Sequence, residues 1–270
     1  MIFVKGYGQM CNNILQYAHI YAWGRENGVK VISMRFSYKY QYFKLCDLWY
    51  HNWLVYAFAK LLITTHLIKH LWLEDGKEVT PQAIMQLKQD EMIALSGWGF
   101  RFPELFFKYE DEIKQQFAIK ESICEHVSQY FHSCESSDLR LAVHIRRGDY
   151  ARFLGGIYYF DDEVYIKNIR EFFALFPHKK ISVFICTNDR HLDLAFYQEQ
   201  LDTCSIHLFH GTEAEDLRLL SECDYIIGAK STFSLVASFY RHLPIYHITD
   251  KHASLSLDSF KYFEDLFMDA

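Results

Sequence analysis

The chain has no apolar run long enough to span a membrane. Its most hydrophobic stretch, from Trp53 to Leu73, is unbroken only from Trp53 through Ala59; Lys60, Thr64, Thr65, His66, Lys69 and His70 interrupt it. A transmembrane helix needs ~20 consecutive apolar residues. What remains is a helix that either lies in the core or makes a peripheral contact with a membrane surface or a lipid-borne acceptor. Positive charge is not in excess either. The formal charge is −6, which argues against a nucleic-acid binder resting on many phosphate contacts, whereas a small phosphorylated ligand needs only a local cluster of cations. The seven cysteines are odd in number, irregularly spaced and without a CxxC pair. They fit reduced thiols in a cytoplasmic protein better than a disulfide framework or a zinc site. His66 and His70 stand at helical spacing, but no third ligand accompanies them, so no metal is expected. Internal repeats and low-complexity tracts are missing. Met1 to Gly6 reads directly as a strand and a glycine turn, so no leader is expected.

What the sequence does have is regular alternation. In the second half, strands are expected at Leu139 to Ile145, Ile181 to Cys186, Ser205 to Phe209, Tyr225 to Ala229 and Ile245 to Ile248. Helices are expected between them and over Ser256 to Phe267. Apolar strands alternating with helices predict a parallel sheet covered on both faces, with ligands at the carboxyl ends of the strands. The first half is less regular, with strands at Ile2 to Val4, Val29 to Ser33 and Met92 to Leu95. The polar run Ser133 to Asp138 is the best linker. The expected fold is α/β, with two Rossmann-like lobes, 1–137 and 138–270, facing a cleft.

The densest chemistry lies at Val143-His144-Ile145-Arg146-Arg147-Gly148-Asp149-Tyr150. Alternation along the strand puts His144 and Arg146 on one face. A guanidinium suits two phosphate oxygens, and Gly148 permits a sharp turn after it. This strand end reads as an anion site. Asp149 is the nearest general base, or it holds Arg147 or caps the turn.

Two further segments carry helix starts. Thr212 and Glu215 form a capping box that places Asp216 in the first turn of a helix. Lys230-Ser231-Thr232-Phe233-Ser234 follows a strand, and its free amides can receive an anion, although Ser231 is equally a plain N-cap. Near the amino terminus, Gly6-Tyr7-Gly8-Gln9-Met10-Cys11-Asn12-Asn13 is a strand-to-helix turn without dinucleotide or P-loop spacing. Asn188-Asp189 either lines the same cleft or makes a turn. Trp49, Trp53, Trp98 and Arg101 could meet sugars or belong to the core.

Together these segments resemble the fucosyltransferase superfamily sharing the His-x-Arg-Arg-Gly-Asp motif, and within it glycosyltransferase family 11, the α-1,2-fucosyltransferases. His144 to Tyr150 matches the motif, Asp216 through Ser234 the downstream donor segment, and Gln9 to Ala18 the amino-terminal pattern. Cys11 replaces the usual glycine and Asn13 the usual glutamine, and the tryptophans common after Ser234 are missing. The resemblance implies a GT-B-like, metal-independent, inverting enzyme without a cofactor, using GDP-fucose as donor and an oligosaccharide or glycolipid as acceptor. It implies that His144 and Asp216 contact guanine and that Arg146 grips the β-phosphate. Ser231, Thr232 and the Phe233 amide would cradle the phosphates, with Asn12 reaching the phosphate or fucose from the other lobe. The expected reaction is transfer to the 2-hydroxyl of a terminal galactose. Another fucose linkage or another GDP-sugar is the alternative within the enzyme class. Outside it, Arg147-Gly148-Asp149 is also the tripeptide of adhesion ligands, but it follows directly on an apolar strand rather than sitting in a displayed loop.

Overall fold

A computed structural model describes residues 1–74, 77, 79–203 and 205–269. The chain divides into two compact units, Met1–Lys120 and Glu121–Ala270. In the first, strand β1 (Ile2–Val4) leads into helix α1 (Met10–Asn27), which ends at Gly28 in the left-handed conformation that glycine adopts without strain. Strand β2 (Val31–Ser33), helix α2 (Trp53–Thr64), strand β3 (Lys69–Trp72), helix α3 (Pro81–Gln89) and strand β4 (Ile93–Ser96) follow. Helices α4 (Pro103–Lys108) and α5 (Glu110–Gln116) close the unit. Its sheet is parallel, in the order β2-β1-β4-β3.

The second unit opens with helix α6 (Glu121–Ser133) and continues with β5 (Leu139–Ile145), α7 (Asp162–Leu175), β6 (Ile181–Thr187), α8 (Leu194–Leu201) and β7 (Ile206–Phe209). Then come α9 (Glu213–Ser221), β8 (Tyr225–Ala229), α10 (Thr232–Arg241), β9 (Ile245–Ile248) and α11 (Phe263–Leu266). The five strands are parallel, in the order β7-β6-β5-β8-β9. Numbered within the unit, this is 3-2-1-4-5, so the order reverses between β5 and β8. At such a reversal the connections leave in opposite directions and open a crevice at the strand ends. The central strand β5 is buried on both faces, with Leu141, Ala142, Val143 and Ile145 all inaccessible, which is why its sequence is continuously apolar.

Three expectations change. The division between units falls after Lys120 rather than after Ser137, because α6 packs against α9 and so joins the second unit. The helix read into Trp53 to Leu73 stops at Thr64, and Lys69–Trp72 becomes an edge strand beside β4. Exposed on one side, that strand needs no apolar run to mark it. The closing helix over Ser256 to Phe267 is broken, because Lys261 exchanges two backbone hydrogen bonds with Ile245 at 2.8 and 2.9 Å. The bridge covers the open edge of β9, which outweighs helix propensity there.

None of the six described cysteines forms a disulfide; Cys204 lies outside the described residues. No helix among the described residues is long and apolar enough to cross a membrane.

Candidate functional site

The carboxyl ends of β5 and β8 carry the polar residues singled out by the sequence. His144 is paired in register with Gly228 on one side and Cys186 on the other. The glycine is required: a Cβ there would lie 2.6 Å from the His144 carbonyl oxygen and 3.0 Å from its Cβ. A glycine inside an apolar strand is the signal that marks such a close approach. The His144 ring is buried, 5.1 Å from the ring of Phe233 at the start of α10. Burial, then Arg146 and His247, push its pKa down to about 3, so the imidazole is neutral at pH 7.

Asp216 lies in the first turn of α9, whose capping box forms as the sequence indicates: Glu215 N–H donates to Thr212 Oγ1, and the Glu215 carboxylate accepts from Thr212 N–H at 2.6 Å. The Cys186 Sγ, beside His144 in the sheet, lies 4.0 Å from the Asp216 carbonyl oxygen. Helix α9 thus brings Asp216 to the same part of the sheet as His144. Burial raises the Asp216 pKa to about 7, against a hydrogen bond from Gly211 and with help from Glu215 and Glu213. Its Oδ1 and the Nδ1 of His144 are both buried without a hydrogen-bond partner among the described residues. A buried polar atom left open costs about 1–3 kcal/mol.

The two arginines separate. Arg147 is buried; its guanidinium donates to Asp162 Oδ1 at 2.5 Å and to the Phe160 carbonyl, and Tyr197 Oη also donates to Asp162 at 2.7 Å. It anchors the loop to the start of α7. Arg146 keeps more access, lies 5.5 Å from the Tyr150 ring centre and pairs with Asp149 at 2.8 Å. The idea that Asp149 holds Arg147 is therefore corrected: Asp162 takes Arg147, and Asp149 holds Arg146.

Further residues build the loop, and of these only Tyr150 had no separate role assigned from the sequence. Asn188 accepts from Arg147 N–H at 2.7 Å and donates to the Arg147 carbonyl at 3.2 Å. Gly148 has φ +63°, a left-handed turn that bends the chain immediately beyond this clamp. Tyr150 Oη donates to the Lys230 carbonyl at 2.8 Å, tying the motif loop to the strand end that precedes α10. Ser231 caps α10, accepting from Phe233 N–H at 3.1 Å. Thr232 is the first residue of the same helix. Asp189 forms turn bonds with Thr187 and His191 and approaches Arg147 at 3.8 Å.

Asn12 belongs to the first unit, in the first turn of α1. The glycine turn before it is held from within: Asn13 donates to the Gly8 and Gln9 carbonyls, and Gln16 donates to the Tyr7 carbonyl at 2.8 Å. Gly8 has φ +75°, and a Cβ there would meet Asn12 Nδ2 at 2.3 Å. Trp49 and Trp53 are exposed, while the Arg101 guanidinium stacks 4.8 Å from the Trp98 ring. Among the described residues no group of three or more His, Cys, Asp or Glu is placed to hold a metal ion.

Residues 72–248 match the family model described as glycosyl transferase family 11. Galactoside alpha-(1,2)-fucosyltransferase 2 of Pongo pygmaeus is 22% identical over 161 residues, 55% of this chain and 45% of that protein. The match thus spans less than half the length of that relative. Among solved structures, a mutant of Arabidopsis thaliana FUT1 in complex with GDP superposes with a TM-score of 0.63 at 13% identity, over 97% of this chain and 73% of that one. POFUT1 in complex with GDP-fucose gives 0.57 at 12% identity, over 90% and 93%. NodZ alpha-1,6-fucosyltransferase soaked with GDP-fucose gives 0.54 at 12% identity, over 97% and 98%. At these identities the likeness is one of fold: α/β and GT-B-like, with two Rossmann-like units.

Proposed function

Because the chain belongs to glycosyl transferase family 11, we propose that this glycosyltransferase moves L-fucose from GDP-fucose to a hydroxyl of a glycan, namely the 2-hydroxyl of a terminal galactose. One observation carries the donor assignment: a neutral imidazole and a buried, partnerless carboxylate oxygen beside the β5/β8 strand ends, next to a guanidinium and a helix start. Guanine presents parallel N–H donors that a carboxylate accepts and that adenine lacks. Asp216 therefore binds the base edge, and His144 lines the base with its uncharged ring. Arg146, oriented by Asp149, takes the β-phosphate, and Ser231, Thr232 and the Phe233 amide complete the cradle at the α10 start.

In the transfer, the bond from the fucose anomeric carbon to the β-phosphate oxygen breaks and its electron pair stays on GDP. The acceptor oxygen bonds that carbon from the opposite face, and its proton passes to solvent. Arg146 stabilises the charge developing on the leaving group, the task a divalent cation performs in other enzymes, and no cofactor is invoked. Asp149 is a brace for Arg146 in this scheme and not the base. The galactose 2-hydroxyl rests on the name of the curated relative.

The test is calorimetric titration with GDP, UDP and ADP, followed by a panel of oligosaccharide acceptors with GDP-fucose and linkage analysis of the product. GDP should bind best and the product should carry an α-1,2 bond. Tighter binding of UDP or ADP would overturn the guanine assignment, and a different bond would overturn the acceptor position alone.

A further inference from the structure

Helix α2 is apolar on the side that faces the protein and on the side that does not. Its inner face, with Val55, Tyr56, Ala59 and Ile63, packs on Phe3, Ile32, Met34 and Ala94 of the first unit. Its outer face presents Trp53, Leu54, Phe58 and Leu61, which are 63, 71, 50 and 57% exposed. A helix apolar all round is ordinarily buried, and a contiguous exposed apolar face marks an interaction surface. Charge tells what covers it. From Leu48 through Leu73 the chain has no acidic residue, whereas the whole protein carries −6. Lys60 is exposed at the margin of the apolar face, 5.8 Å from the Tyr56 ring, and Lys30 lies 4.7 Å from the ring of the exposed Trp49. The segment is therefore a local exception to the sign of the protein. Interfacial helices combine an apolar face, tryptophan at its margin and lysines that reach lipid phosphates. At twelve residues α2 is too short to cross a bilayer.

We infer that the outer face of α2 docks the protein on the surface of an anionic phospholipid bilayer, with Phe58 and Leu61 in the acyl boundary and Lys60 and Lys30 at the headgroups. The claim is independent of which sugar is transferred.

The full chain is floated with vesicles of phosphatidylcholine alone and of phosphatidylcholine mixed with phosphatidylglycerol. Binding is expected to the mixed vesicles only and to weaken with salt. The triple variant Leu54→Ser, Phe58→Ser, Leu61→Ser should bind them about tenfold more weakly or worse, with an unchanged circular dichroism spectrum. Lys60→Glu should weaken binding severalfold. Brominated lipids should quench the Trp53 contribution to fluorescence in the parent chain, assigned by comparison with Trp53→Phe; this reads the docked face directly even if the triple variant fails to fold. Equal binding by parent and folded triple variant, no preference for the anionic vesicles, or no Trp53 quenching would overturn the inference. So would a concentration-dependent dimer that the triple variant abolishes, because the face would then belong to a second copy.

Discussion

Two strand-to-helix turns in this molecule look alike in sequence and differ in what they leave open. Both follow the first strand of a parallel sheet, and both bend through glycine at positive φ, Gly6 and Gly8 after β1 and Gly148 after β5. In the first, the amide groups of Asn13 and Gln16 donate to carbonyls of their own turn, and the group left without a partner is a neutral amide oxygen, Asn13 Oδ1. In the second, Asn188 and Arg147 secure the backbone, while the His144 ring and the Asp216 carboxylate each keep a buried atom without a partner and Arg146 stays accessible. The difference teaches that the two turns are separated by the chemistry of what the fold buries and does not satisfy, an amide oxygen in one and an imidazole with an ionisable carboxyl in the other, rather than by how many polar residues each holds.

The sharpest way to break this contrast is to exchange the roles of the adjacent arginines. Arg146→Ala should lower kcat about 10²–10³-fold, the usual loss when a donor to developing charge is removed. The melting curve should stay as it was, since an exposed Arg146–Asp149 pair contributes little. Loss of stability in place of activity would show that Arg146 is structural. Arg147→Met should do the reverse, costing about 3 kcal/mol in a urea melt because Asp162 loses the charge it faces; a fully stable but inactive variant would merge the two roles.

A smaller effect follows from Asp216. Its pKa is raised from 3.8 to about 7, so the free protein holds the proton and loses stability as pH rises from about 4 to 7. Guanine donors favour the carboxylate, so GDP affinity should rise about tenfold per pH unit up to 7 and then level off. Asp216→Asn should flatten that slope in calorimetry, and a slope unchanged by the substitution would move the guanine contact elsewhere. The smallest effect belongs to the first turn: Gln16→Leu should cost about 1 kcal/mol of stability, one hydrogen bond to a carbonyl. GDP affinity should stay the same, and a weakened affinity would mean that this turn, too, serves the nucleotide.

Much of the second unit was legible because its signals are local. The strands at Leu139–Ile145, Tyr225–Ala229 and Ile245–Ile248 and the helix at Glu213–Ser221 lie where apolar runs and a capping box put them. Strand β3 was not legible, because Lys69-His70-Leu71-Trp72 sits at a sheet edge and lacks the pattern of a buried strand. Helix α4 was missed because six residues are too few to show a helical period. Gly228 carried a readable signal, a glycine in an apolar strand; Asn188 was read as a cleft or turn residue, but its clamp on Arg147 and the tie from Tyr150 to Lys230 were not readable, since these partners are 41 and 80 positions away.

The sequence by itself determined the class of fold, the family and the polar residue types gathered at the strand ends, because alternation, capping and a short motif are encoded within a few residues of one another. Only the tertiary structure decided the strand order that sets β5 beside β8, which arginine is buried and which stays accessible, and that Asp216 comes to lie beside Cys186 and hence near His144. Those outcomes depend on contacts between distant segments competing for the same buried space, and no local pattern records who wins that competition.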